Sequence, residues 1–271
     1  MSYSAPNTPF IWFAHANGFV ASSYRFLFNL LSPCVVGGVE RIAHHTAYAS
    51  NKHWQHSVVE LIDALSVEVT VRGKAIGVGH SLGGVLLLFA AQKRPDLFQK
   101  IIILDPPLFR PARRALLGVL DIMQLHRFFA PAKKAYRRRN FFESRQAAYT
   151  YFSQKAFFRR FHPNCFDDYV EYGLEPDESG SGFRLTFSPQ IEYTLFCNTP
   201  YRVNPTPLAV PSCLIHATQQ SVLSLSDLEW LKKGYAFDEV LPFNGTHLFP
   251  FEQPHQTAKC LLGNIFGHIP A

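Results

Sequence analysis

Between residues 74 and 92 the chain runs from an apolar stretch, Lys74-Ala-Ile-Gly-Val78, through Gly79-His80-Ser81-Leu82-Gly83 into the helix-forming Gly84-Val-Leu-Leu-Leu-Phe-Ala-Ala-Gln92. A serine with glycine two residues before and two residues after it suits a strained strand-to-helix turn, where larger side chains would collide with the backbone. Such a turn lifts the Ser81 hydroxyl to the carboxyl edge of a sheet. It also aims the positive end of the following helix at whatever reacts there. A bare G-x-S-x-G occurs often by chance and then only joins a strand to a helix, so the flanking periodicities give this match its weight.

The rest of the chain agrees with a sheet of parallel crossovers. Phe10-Ile-Trp-Phe-Ala14 is a short apolar strand that ends in the turn-forming cluster His15-Ala16-Asn17-Gly18-Phe19. Val35 to Ile42 reads as a second strand, Trp54 to Leu65 as an amphipathic helix with Val58, Leu61, Ile62 and Leu65 on one face, and Lys74 to Val78 as a third strand. Lys100 to Leu104 and Ser212 to His216 are apolar on both faces, as buried central strands are. Glu239 to Pro242 is a last short strand before Asn244-Gly245-Thr246-His247. Strands alternating with helices predict an α/β class with a mostly parallel sheet of about six strands. At 271 residues and 47% hydrophobic, one large core with an insertion is expected, not two independent domains.

The alternation stops between Pro106 and about Pro211. Aromatic and basic residues recur there at helical spacing from Leu116 to Tyr172, followed by an acidic Gly/Ser-rich loop at Glu175 to Gly182 and a proline-rich return through Pro200, Pro205, Pro207 and Pro211. This stretch is too rich in Phe, Tyr and Leu to stay unfolded, so it is expected to be a helical cap over 107–210, with the core formed by 1–106 and 211–271. No internal repeat or low-complexity segment is present.

Cys34, Cys165, Cys197, Cys213 and Cys260 are odd in number and lack C-x-x-C spacing, which indicates reduced thiols, neither a disulfide framework nor a zinc site. Met1 to Pro9 lacks the basic segment and apolar run of a signal peptide, and no stretch reaches the length of a membrane span. A cytoplasmic protein is expected.

Taken together, the H-x-N-G loop at His15, the G-H-S-L-G-G turn at Ser81, the L-D-P strand end at Asp105 and the N-G-T-H-L segment at His247 resemble the α/β-hydrolase superfamily. The resemblance is to its capped branch of esterases, C–C bond hydrolases, epoxide hydrolases and haloalkane dehalogenases, and it covers nearly the whole chain. Those enzymes usually carry a hairpin before the first loop; nine residues precede the first strand here, so a sheet shortened at one edge is expected. The resemblance implies the α/β-hydrolase fold with a helical cap inserted after the L-D-P strand.

Acyl transfer needs a nucleophile, a base to take its proton and donors for the oxyanion. Ser81 is the nucleophile, on an elbow formed by Gly79, His80 and Gly83. His247 is the base chosen among 12 histidines, because it follows the final strand where this superfamily places it. His44, His45, His53, His56, His126, His162, His255 and His268 fall on expected surface or cap segments. His15 and His80 flank the site in positions where a structural hydrogen bond is the commoner use. Family position gives the oxyanion donors as the backbone N–H groups of Leu82 and Asn17, with Ala16 where a glycine is usual. Without the rest, His15 to Gly18 is an ordinary polar turn.

The acid is the point of departure. The usual carboxylate would follow the strand ending at His216, and the segment there reads Ala217-Thr-Gln-Gln-Ser-Val-Leu-Ser224, with Gln219, Gln220 or Ser221 in its place. A neutral group cannot stabilise an imidazolium as a carboxylate does. Asp105 ends the preceding central strand, an alternative acid position in some haloalkane dehalogenases and lipases of the superfamily, and it keeps the chain order Ser, Asp, His. The competing role for Asp105 is a hinge that holds the Pro106-Pro107 turn. Asp227 and Asp238 are the fallbacks. Asp227 lies late, in a segment where Ser226 is a natural helix cap and Asp227 suits the first turn.

With a serine nucleophile, water attack on an acyl-enzyme is expected, and dehalogenase or epoxide hydrolase chemistry, which needs a carboxylate nucleophile, is not. A cap rich in Phe and Tyr implies a covered pocket for an apolar acyl or alkyl group. The expectation is a serine esterase or thioesterase with a small-molecule substrate, no metal and no organic cofactor. C–C bond hydrolysis, acyl transfer to another acceptor, and a non-catalytic binding protein on the same fold remain alternatives. The net charge is +6, and residues 110–160 hold half of the 26 Lys and Arg against Asp121 and Glu143. Arg137-Arg138-Arg139 beside Phe141 and Phe142, and Arg159-Arg160 beside Phe157, Phe158 and Phe161, could attract an anionic substrate, an acidic partner or a membrane surface. A solvated helix face is the plainer reading. No RRM, OB or zinc motif supports nucleic-acid binding. The apolar cap helices could also form a homodimer surface.

Overall fold

The structure, a computed structural model, describes residues 8–123, 125 and 130–267. Met1 to Asn7, His126 and His268 lie outside the described residues. Among the described residues nine strands follow one another: β1 (Phe10–Ala14), β2 (Val35–Gly37), β3 (Ala75–His80), β4 (Phe98–Leu104), β5 (Phe141–Phe142), β6 (Leu174–Pro176), β7 (Phe183–Leu185), β8 (Ser212–Ala217) and β9 (Glu239–Phe243). The helices are α1 (Arg25–Asn29), α2 (Gln55–Arg72), α3 (Leu82–Lys93), α4 (Pro111–Ile122), α5 (Ala130–Tyr136), α6 (Arg145–Ser153), α7 (Pro163–Tyr172), α8 (Pro189–Cys197), α9 (Leu225–Tyr235), α10 (Phe249–Glu252) and α11 (Pro254–Phe266).

The main sheet has six strands in the order β2-β1-β3-β4-β8-β9, and every pairing in it is parallel. Parallel strands with helices on both faces must be apolar on both sides, and Ile101, Ile102, Ile103 and Leu104 of β4 are all fully buried. One layer of core lies between the sheet and α2 and α3, with Trp54, Val58, Leu61, Val85 and Leu88; the other holds Ile11, Phe13, Val78, Ile215, Phe249 and Leu261. The strand order reverses between β1 and β3. Loops leaving those two strands at their carboxyl ends diverge there and open a crevice, the usual ligand position in such sheets. Register aligns the strand ends, with Ala14 opposite Gly79, His80 opposite Leu104, Leu104 opposite Ile215 and His216 opposite Pro242.

Three expectations change. The second strand stops at Gly37 instead of reaching Ile42. At Gly38 the chain passes so close to β1 that a Cβ would stand 2.2 Å from the Phe13 carbonyl oxygen. Beyond it, Glu40 leaves the sheet and accepts hydrogen bonds from the Ser22 amide and hydroxyl. The helix expected over Trp54 to Leu65 runs on to Arg72, through exposed Val67 and Val71, and ends where Gly73 takes a φ of +77°. The stretch between β4 and β8 is not wholly helical. Its described residues form five helices, α4 to α8, and a small antiparallel sheet in the order β5-β7-β6. Within it, Arg184 on β7 bonds Glu175 on β6. These strands have only two or three residues each, too few to show a period of two in the sequence.

All five cysteines are free. Among the described residues no helix is long and apolar enough to cross a membrane, and no three His, Cys, Asp or Glu side chains are grouped to hold a metal ion.

Candidate active site

Ser81 sits between β3 and α3 with φ 54° and ψ −118°, in the left-handed region that side chains other than glycine avoid. The two glycines explain how the turn is accommodated. A Cβ on Gly79 would stand 2.6 Å from the Gly83 carbonyl oxygen, and one on Gly83 would stand 2.0 Å from that of Ala14 on β1. Gly83→Ala is therefore expected to destabilise the protein by about 3 kcal/mol, because backbone and not a mobile side chain must give way. A urea denaturation midpoint matching the native protein's would show that the turn relaxes.

His247 follows β9 and reaches back across the sheet. Its Nε2 lies 3.0 Å from Ser81 Oγ and its Nδ1 2.7 Å from Asp105 Oδ2. Asp105 is fully buried directly after β4, with a φ of 42° that Asp tolerates better than most residues. Its carboxylate is saturated. Oδ1 accepts from the Ala217 amide at 3.1 Å and the Ser221 hydroxyl at 2.6 Å, and Oδ2 accepts from the Val222 amide at 3.3 Å besides His247. Burial by itself would raise the Asp105 pKa, but the His247 contact and these donors hold the carboxyl below its ordinary range. The segment 217–222, which lacks the usual acid, thus supplies donors to an acid placed one strand earlier. Gln219 instead bonds Asn244, and Gln220 is exposed.

The fallback acids are engaged elsewhere. Asp227 closes a capping box at the start of α9 and also pairs with Arg113. The cap residue is Ser224, two positions before the expected Ser226, because the Asp227 carboxylate bonds the Ser224 amide in return. Asp238 accepts from the Ser212 amide and hydroxyl.

Leu82 opens α3, so its N–H has no intrahelical acceptor. Neither it nor the Asn17 N–H has a hydrogen-bond partner among the described residues. His80 ties the two loops together. Its Nε2–H donates to the His247 carbonyl at 2.8 Å, and its Nδ1 accepts from the Tyr24 hydroxyl at 2.8 Å, which in turn accepts from the Ala16 amide at 3.2 Å. His15 donates from Nδ1 to the Ala16 carbonyl and accepts from the Ile42 amide at Nε2. Tyr24 was not legible from the sequence, since it follows the His15 to Phe19 loop at a position that carries no motif of its own. His44, expected on the surface, is half-buried, accepts from the Ser188 amide and packs on Phe187.

Burial keeps both of these histidines neutral, pushing His15 down to about 4 and His80 down to about 3. Their contribution to stability is present above the ordinary histidine pKa and is lost as the pH falls through the intervening range. Burial pushes Glu60 up to about 7, so its folded form holds a proton the unfolded chain has released, which offsets one histidine. Among these three groups the net uptake on unfolding is about one proton between roughly pH 6.5 and 4.5, a slope on the order of 1.4 kcal/mol per pH unit, and half-buried His44 and His53, also held below the ordinary histidine pKa, add to it in the same direction. Urea midpoints across this range measure it, and a flat profile would show that the two histidines are not held neutral.

Several arginines of residues 110–160, expected to project a positive field, are occupied. Arg138 pairs with Glu192 at 2.6 Å and Arg160 with Glu252 at 3.4 Å, while Arg139 stacks on Phe142 and Arg145 on Phe183. Arg114 donates to the Tyr201 and Val203 carbonyls. Glu252 also accepts from the Thr246 hydroxyl, next to His247. The inserted stretch was expected to line a pocket with Phe and Tyr, but four of its phenylalanines, Phe152, Phe158, Phe161 and Phe166, are buried in one cluster with Phe19 and Phe251.

The fold on which these loops converge is that of the α/β-hydrolases. The chain belongs to the alpha/beta hydrolase family, whose model matches residues 12–259. No curated protein matches the sequence. Among solved structures, an E-2-(acetamidomethylene)succinate hydrolase superposes with a TM-score of 0.71 at 19% identity, over 97% of this chain and 92% of its own. The thioesterase domain from the curacin biosynthetic pathway gives 0.66 at 15%, over 96% and 92%, and an esterase of M. tuberculosis 0.65 at 17%, over 96% and 86%. At these identities the likeness concerns the fold.

Proposed function

We propose that the protein is a serine hydrolase of carboxylic esters or thioesters with an apolar acyl or alkyl group. The observation that carries this is the continuous hydrogen-bonded line from Ser81 Oγ through His247 to Asp105. In the proposed cycle His247 Nε2 takes the Ser81 proton as Oγ attacks the carbonyl carbon, and Asp105 holds Nδ1–H so that Nε2 is the free base. The Leu82 and Asn17 N–H groups receive the tetrahedral oxyanion. His247 then protonates the leaving alkoxide or thiolate, and water enters by the reverse route to release the acid. Residues 107–210 act as the cap, anchored near both loops through Glu192 and Glu252.

A binding protein on the same fold is disfavoured, because a receptor has no use for a serine held at φ 54° against a base. The occupied state of Arg138, Arg145 and Arg160 favours a neutral substrate over an anionic one. The deciding experiment is labelling with a fluorophosphonate probe, followed by p-nitrophenyl esters and acyl thioesters of increasing chain length. Labelling with turnover that peaks at a definite chain length supports the reading, and a folded protein that neither labels nor turns over would refute it.

A further inference from the structure

Arg138 lies between two exposed arginines, Arg137 and Arg139, yet its own side chain is turned inward and only 19% exposed. Its Nη1 donates to Glu192 Oε2 at 2.6 Å, and its Nη2 donates to the hydroxyl of buried Tyr169. Glu192 stands in the first turn of α8, and its side chain is 12% exposed. Two contacts bring this pair onto the loop after β1. Asn17 Nδ2 donates to the Glu192 carbonyl at 3.1 Å. A Cβ built on Gly18 would stand 2.8 Å from Glu192 Oε1 and 3.1 Å from Arg138 Nη1, so the ion pair rests against the backbone of the residue after Asn17.

From this packing we propose that Arg138 and Glu192 form a positioning pair that holds α8 on the Asn17–Gly18 loop and thereby fixes the Asn17 N–H in the oxyanion hole. The inference rests on the serine hydrolase reading above. The Asn17 amide sits in a loop outside any helix or strand. From below, the loop is tied by the Ala16 amide to Tyr24 and by the Phe19 amide to the Ala16 carbonyl. On the other side the Asn17 side chain has one bond, to Glu192, while its Oδ1 is buried without a partner among the described residues. If α8 shifts, no other hydrogen bond among the described residues restrains that side chain. A hole donor acts only within a few tenths of an ångström of the developing charge, so losing the restraint affects the transition state and leaves ground-state binding alone. Two buried opposite charges also set a unique seat for α8, which an apolar contact would define less sharply.

The test compares Glu192→Gln, Arg138→Lys and the charge-free double variant Arg138→Met/Glu192→Leu with the wild type on a p-nitrophenyl ester, and measures inhibition by a trifluoromethyl ketone, whose hemiketal oxyanion must occupy the hole. Glu192→Gln and the double variant are expected to lose roughly 10- to 100-fold in kcat, less than deleting a donor outright. Inhibitor affinity should fall by the same factor, with KM within about twofold, and Arg138→Lys, which keeps the charge, should recover most of the loss. Should a single variant fail to fold, the double variant, which leaves no charge unpaired, decides. Folded variants with wild-type kcat and inhibitor affinity, or with KM alone raised, would overturn the pair's role in an enzyme that labels and turns over. A wild type that does neither overturns the hydrolase reading itself, and this inference with it.

Discussion

Replacing Asp105 with Asn is expected to lower kcat by about 10⁴-fold while leaving KM little changed. The reason is visible in the saturation of its carboxylate: Oδ1 faces two donors, the Ala217 amide and the Ser221 hydroxyl, and Oδ2 faces two more, His247 Nδ1 and the Val222 amide. An amide brings an NH₂ that must oppose one pair. Set toward His247, it forces the ring into the tautomer whose Nε2 carries the proton and cannot accept another from Ser81. Set toward Ala217, it leaves a buried amide unpaired, at a cost of about 1–3 kcal/mol in stability. The backbone does not confuse the experiment, since Asn adopts the φ of 42° as readily as Asp. Steady-state kinetics and a melting curve together read both effects. Near-native kcat in Asp105→Asn would transfer Asp105 to the hinge role and leave a Ser-His dyad, as Asp227 and Asp238 are spent on α9 and β8.

Ser81→Ala is expected to remove on the order of 10⁴- to 10⁶-fold of kcat and all fluorophosphonate labelling, with a melting temperature close to the native one. Alanine is no more strained at this φ than serine, and the Ser81 N–H keeps its bond to the Leu104 carbonyl at 2.9 Å. The substitution thus removes the proposed nucleophile and little else. Any residual turnover should be insensitive to His247→Ala, because a base with no proton to take contributes nothing beyond its place in the packing. Labelling that survives in Ser81→Ala would assign the reactive group to another residue.

Several elements were legible because their signals are local. Apolarity on both faces marked β4 and β8 as central strands, and two glycines around one serine marked the elbow, since the collisions they avoid are with backbone four or five residues away or on the adjoining strand. Other elements misled for equally local reasons. Val67, Val69 and Val71 end a helix with β-branched residues whose alternation says nothing of helix, and the strand begun at Val35 continues in sequence through Val39 and Ile42 although the chain has left the sheet by Gly38. The aromatics of the cap signalled a folded insertion, yet they could not say whether they line a pocket or pack on Phe19 and Phe251.

By itself, then, the sequence determined a parallel α/β sheet, a strained serine between strand and helix, and a histidine after the last strand, all consequences of short-range sterics and periodicity. Only the tertiary structure decided which carboxylate meets that histidine, because the contact spans 142 residues and the serine that supports it comes from 116 residues away. It likewise decided that Arg138 turns inward while its neighbours face water. Pairings of this kind depend on strand order and register, which bring loop ends together irrespective of their distance along the chain, and no local pattern encodes that meeting.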